Sequence, residues 1–79
     1  CVPEAEFAGH VRARAAKLAA GPTLAYAGVK QALRASFGND LDAQLALEAR
    51  LQGVCGQSED FREGVAAFLE KRPAVYRGR

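Results

Sequence analysis

The sequence predicts an all-α fold of about four helices followed by an extended C-terminal tail. Three observations carry this expectation. Apolar residues recur at intervals of three and four, the spacing of one helix face. Glycine and proline fall between these runs and divide them. Nowhere do apolar and polar residues alternate over a strand length with turn residues at both ends.

Pro3, followed by Glu4 and Glu6, marks the start of the first helix, because proline tolerates the first helical position and acids suit the positive end of the macrodipole. Its apolar stripe is Phe7, Val11, Ala15 and Leu18, with His10, Arg12, Arg14 and Lys17 between them. Gly21-Pro22 stops it: Gly accepts a left-handed cap and Pro cannot continue the hydrogen-bond ladder. A second helix runs from about Thr23 to Ser36 with the stripe Tyr26, Val29, Leu33 and Phe37, and Gly38 closes it. Asn39 or Asp40 caps a third helix, whose burial candidates are Leu41, Leu45, Leu51 and Val54, and whose last turn is weakened by Gly53 and Gly56. Ser58, Glu59 and Asp60 open a fourth, with the stripe Phe61, Val65, Phe68 and Leu69. Lys71 and Arg72 suit its negative end, and Pro73 terminates it. Residues 74–79 have no periodicity and are expected to be extended.

At 79 residues this is one small domain, and a chain of that length buries only about 60% of its unfolded surface. The 49% apolar and 25% charged fractions argue against disorder, but much of the apolar share is Ala, which buries little per residue. The helices are therefore expected to seek a partner surface. A net charge of +2, evenly interspersed, does not point to nucleic acid, and no helix carries the dense basic face that a helix-turn-helix reading of Arg12, Arg14 and Lys17 would need. The longest apolar runs fall far short of the roughly 20 residues that span a bilayer. With no apolar signal segment, Cys1 and Cys55 are expected to be free thiols and the location cytoplasmic. No methionine occurs, so the chain is expected to be a piece of a longer protein.

Catalytic constellations are absent. One His and two distant Cys give no metal-ligand spacing, and single glycines give no phosphate cradle. Glu4, Glu6, Asp42, Glu48, Glu59 and Glu63 fall near helix starts or on faces expected to be solvated, whereas acid/base work needs a carboxylate in a cleft. His10 reads as a surface residue and Cys55 as a small core hydrophobe.

The fourth helix carries a resemblance. The stretch SEDFREGVAAFLEKRP at 58–73 resembles the C-terminal helix of the enoyl-CoA hydratase/isomerase (crotonase) family. Upstream, AAGP at 19–22 leading into VKQAL at 29–33 is similar to the family's helix pair, and LALEA at 45–49 to the helix after it. Val2-Pro3 and Tyr76-Arg77-Gly78-Arg79 fit the start and finish of that region, so the resemblance spans essentially all 79 residues.

What the resemblance implies is a C-terminal helical trimerisation and CoA-lid region, residues 1–79, of a larger α/β enzyme whose catalytic ββα spiral core is not in this chain. That core would supply the catalytic acids and the oxyanion hole that stabilises a thioester enolate. The chain alone is accordingly expected to hold no catalytic residue and to be inactive. Coenzyme A would enter as part of the substrate rather than as a cofactor. The resemblance also implies self-association into trimers or hexamers. It assigns Phe68 to the aromatic position near the CoA adenine and Lys71 to the basic position near CoA phosphates. A ring can stack on adenine and an ammonium can face phosphate, while Phe68 in the core and Lys71 as a helix-end cation are the plain structural alternatives. Some relatives place a substrate-facing Tyr near the start of the last helix, where this chain has Gly56. The competing class is a free-standing helical protein-interaction module.

Overall fold

The helices lie where the short-range signals place them. In the computed structural model, which describes residues 1–79, the elements are α1 (Glu4–Ala19), α2 (Thr23–Ser36), α3 (Leu41–Gly56) and α4 (Glu59–Glu70), with no strand. Two of their ends differ from the expectation: α1 ends at Ala19 with Ala20 right-handed and no left-handed cap at Gly21, and α4 ends at Glu70, ahead of Pro73. Pro3 sits at the cap of α1 and Glu4 and Glu6 in its first turn. Asp40, one of the two expected caps, accepts the Ala43 N–H at 2.8 Å. Ser58 accepts the Phe61 N–H at 3.0 Å and donates its hydroxyl to the Cys55 carbonyl at 2.6 Å, joining the end of α3 to the start of α4. Helix α3 continues through Gly53 and ends at Gly56.

The helical hairpin α2–α3 is the main packed unit, and the face it uses corrects the sequence reading. Gln44 donates from Nε2 to the Ala32 carbonyl at 3.2 Å near one end of the hairpin. At the other end a methyl placed on Gly28 would lie 3.9 Å from Cys55 Sγ and 4.0 Å from Leu51 Cβ, so the two helices run antiparallel and close together. Their seam is built from Ala25, Gly28, Ala32 and Ala35 against Gln44, Leu47, Leu51 and Cys55, all half-buried. The large apolar stripe of α2 points elsewhere: Tyr26, Val29 and Leu33 are exposed, and Phe37 is 95% exposed. Of the burial candidates on α3 only Leu51 is half-buried, while Leu41, Leu45 and Val54 are exposed. The reason is geometric: small residues let two helix axes approach, which leaves the bulky neighbours one position along, about 100° around the helix, outside the seam.

Phe61, Val65, Phe68 and Leu69 on α4 are exposed as well, and every residue of α1 is exposed, including Phe7, Val11 and Leu18. Helix α1 packs along no other helix in the way α2 packs on α3. Only Gly21, Asp60 and Ala67 are buried, so the chain encloses no hydrophobic core of its own. Its shape agrees, with a radius of gyration of 15.9 Å and extents of 46 × 36 × 18 Å, whereas a compact domain of this length would have a radius of roughly 12 Å. No helix is long and apolar enough to cross a membrane.

Candidate functional site

The first half of α4 is tied to the tail, residues 73–79, which folds back along it. The tail is extended, as its lack of periodicity predicts, but it is not free. Asp60, 4% exposed, accepts the Arg77 N–H at 2.7 Å through one carboxylate oxygen and the Gly78 N–H at 2.8 Å through the other. Its own backbone N–H, one of the orphan donors of a helix N-terminus, donates to the Arg79 carbonyl at 2.9 Å. Glu63 accepts the Val75 N–H at 2.8 Å and a two-pronged contact from the Arg72 guanidinium at 2.7 and 3.0 Å. Arg79 Nε donates to Glu59 at 2.9 Å. Glu59 and Glu63, read from sequence as capping or solvated acids, are thus anchors for the tail; the contacts lie 9 to 20 residues apart, beyond the range of any local pattern.

These bonds set the local electrostatics. The Arg72 guanidinium and then the Val75 N–H hold the Glu63 carboxyl down, from an ordinary 4.5 to about 2. The same pairing, first with Glu63 and then with Glu70, raises the Arg72 guanidinium above its usual value.

Between the tail, α4 and the start of α2 lies an apolar groove of about 400 Å³. Pro22, Leu24, Phe61, Val65, Phe68 and Tyr76 are among its walls, with Cys55 at the α3 side. Tyr76 stands over Gly64, where a methyl would lie 3.5 Å from the phenol oxygen. The sequence reading assigned no place to Tyr76 in this groove and treated Asp60 only as a helix-opening acid. The available signal was an aromatic residue in a tail with no periodic partner.

Phe68, one of the two site residues expected from sequence, lies on the rim of this groove and is 82% exposed, so it is not a core residue of this chain. Lys71 is exposed and lies one residue past α4, in the left-handed conformation with φ 55° and ψ 41°. It closes the helix through a Schellman pair, in which the Arg72 N–H donates to the Ala67 carbonyl at 3.0 Å and the Lys71 N–H to the Phe68 carbonyl at 3.3 Å. Because Lys71 is outside the helical repeat, its spacing of three from Phe68 does not put the two on one helix face. A left-handed non-glycine residue costs about 1–2 kcal/mol, and Lys71 is the one such residue in the chain. Cys1 is exposed, Cys55 half-buried, and both are free thiols. No three His, Cys, Asp or Glu side chains converge as metal ligands would.

The family model for Enoyl-CoA hydratase/isomerase matches residues 1–79. A probable enoyl-CoA hydratase of Rhodobacter capsulatus is 64% identical over 78 residues, covering 99% of this chain and 30% of the relative. The 1,2-epoxyphenylacetyl-CoA isomerase of Escherichia coli is 45% identical over 62 residues, covering 78% of this chain and 24% of the relative. Among solved structures, an enoyl-CoA hydratase from Geobacillus kaustophilus superposes with a TM-score of 0.90 at 36% identity, over 98% of this chain and 29% of that one. The four helices thus reproduce a portion of a larger enzyme fold, and the chain spans about 30% of the length of the Rhodobacter relative. With the family model matched from the first residue to the last, the chain belongs to the enoyl-CoA hydratase/isomerase family.

Proposed function

We propose that this chain is the C-terminal helical region of an enzyme that acts on acyl-CoA thioesters, where it joins subunits and covers part of the CoA site. The supporting observation is its surface. The chain exposes 6438 Å², whereas a compact monomer of its mass exposes about 4,600 Å². The excess, roughly 1,800 Å², is about twice what one partner buries in a standard interface of ~800 Å² per side. Large apolar side chains stand on every helix of this exposed surface: Phe7 and Val11 on α1, Leu33 on α2, Leu41 on α3, Leu69 on α4. Monomers rarely tolerate such patches. Helices that leave their bulky faces open in this way suit a role as contacts to a catalytic core and to neighbouring subunits, with a trimer or a pair of trimers as the assembly.

In this reading Phe68 offers an exposed ring for the CoA adenine and Lys71 an ammonium for its phosphates, and the reacting groups lie outside these 79 residues. The chain by itself has no turnover on crotonyl-CoA and self-associates at micromolar concentration; turnover that co-purifies with the 8.4 kDa species, or a clean folded monomer by sedimentation equilibrium, would overturn it. Lys71→Ala in the full-length enzyme tests the CoA contact. Phosphates remote from the thioester carbon contribute alike to ground and transition states, so KM rises on the order of tenfold with kcat nearly unchanged. Acyl-pantetheine thioesters, which lack the nucleotide, then show almost no difference between variant and wild type. Equal impairment on both substrates would place Lys71 in helix termination or subunit packing instead.

A further inference from the structure

Successive residues of an extended chain point to opposite sides, and the tail follows this rule. Tyr76 lines the apolar groove, whereas Val75 and Arg77 line a charged hollow on the other side together with Arg62, Glu63 and Arg72. The tail is a partition between the two, and Asp60 borders both. It has no hydrogen-bond ladder of its own. Its backbone N–H groups at Val75, Arg77 and Gly78 all end on carboxylates of α4, and its last carbonyl on an α4 N–H. Gly78, at φ 74°, brings the far end against the start of α2, where a methyl would lie 2.5 Å from Thr23 Oγ1.

We propose that residues 73–79 form a releasable strap, latched by the Asp60 carboxylate, and that Tyr76 on it is the movable wall that sets the width of the apolar groove. Asp60 is the latch because it is the buried member of the set and the only one that holds two consecutive N–H groups. Glu63 and Glu59 hold the strap before and after those contacts, at Val75 and Arg79, but are partly or fully exposed. When the Asp60 carboxylate lets go, the strap keeps only the Val75 N–H on Glu63, its last carbonyl on the Asp60 N–H and the exposed Arg79–Glu59 pair, which holds weakly. Tyr76 then leaves Gly64, and the groove widens beside Phe61 and Val65, which are already partly open to solvent. The latch depends only on α4 and the tail, so it stands or falls separately from the thioester chemistry.

Hydrogen–deuterium exchange in the full-length protein that carries this chain tests the strap directly. Asp60→Asn keeps the shape but replaces one acceptor with a donor facing an N–H. The Arg77 and Gly78 amides are expected to exchange at least about tenfold faster in this variant, with the α2–α3 seam unchanged and binding of an apolar reporter dye increased. Exchange that accelerates equally in all four helices would overturn the proposal, since Asp60 would then serve general stability. So would strap amides that already exchange freely in the wild type. Should Asp60→Asn not fold, Glu63→Gln leaves the helix start intact and is expected to speed exchange at Val75 alone by a few-fold; no change there would equally overturn it.

Discussion

Helix α1, of 16 residues, and helix α4, of 12, both carry apolar residues at intervals of three and four, yet they are held in opposite ways. Every residue of α1 is exposed, no side chain caps its first turn, and it rests along no other helix. Helix α4 has a serine cap, a Schellman end, a buried carboxylate and a tail tied back over its first two turns. Both present large apolar residues outward, so apolar pattern is not what separates them. The difference is in polar anchors: α4 carries its own, and α1 has none within this chain. An element can be fully specified as a helix and still have its place decided by a neighbour.

The sharpest way to break this contrast is Asp60→Ala in the full-length protein. It removes two charge-assisted hydrogen bonds and leaves the Arg77 and Gly78 N–H groups without partners, at a cost of about 3 kcal/mol by urea unfolding. A change below about 1 kcal/mol would mean that α4 needs its anchors no more than α1 does. Gly78→Ala comes next. It forces a left-handed alanine and a contact with Thr23 Oγ1, an expected loss of about 2 kcal/mol. Gly9→Ala on α1 should act in the opposite direction and less strongly. Nothing lies within 4 Å of the added methyl, so helix propensity alone decides, and a gain of about 0.5–1 kcal/mol is expected in the same assay. A loss at Gly9 would show that another part of the full-length protein sits against that face of α1.

The smallest effect is one of pH. The Glu63 carboxyl is lowered from 4.5 to about 2 in the folded chain. A depressed carboxylate contributes stability that is complete above its unfolded value and lost as pH falls through its folded value. The Glu63 anchor therefore contributes nothing variable at neutral pH and weakens between about pH 4.5 and 2. Exchange at the Val75 amide followed across that window checks it, and Glu63→Gln should abolish the dependence. A midpoint at an ordinary carboxylate pH would mean that the Arg72 contact is not formed in solution.

Much of the local architecture was legible in the residues. The span of α2, the caps at Asp40 and Ser58 and the extended tail all follow from dihedral preferences and hydrogen bonds that close within three or four residues, whereas α4 stops at a left-handed Lys71, two residues before the proline expected to end it. The family was legible too, because SEDFREGVAAFLEKRP at 58–73 is a long ordered match rather than a composition. What stayed hidden was which face each helix turns to its neighbour. A periodic stripe such as Tyr26, Val29, Leu33 and Phe37 says that bulky residues share a side; it does not say what covers them. In this chain only Tyr26 is mostly covered, over Gly21, and the small residues Gly28 and Ala32 make the seam instead.

The sequence by itself determined where the helices lie and how α3 and α4 begin, because capping side chains, proline and glycine act on the few residues beside them. Tertiary structure alone decided the rest: the seam between α2 and α3, the exposure of Phe68, and the conversion of Asp60 and Glu63 from helix-start acids into anchors for a tail 12 to 18 residues away. The physical reason is range. A backbone N–H at Gly78 finds the Asp60 carboxylate only after α4 and its left-handed stop at Lys71 have turned the chain around, and no pattern of neighbouring residues encodes that meeting.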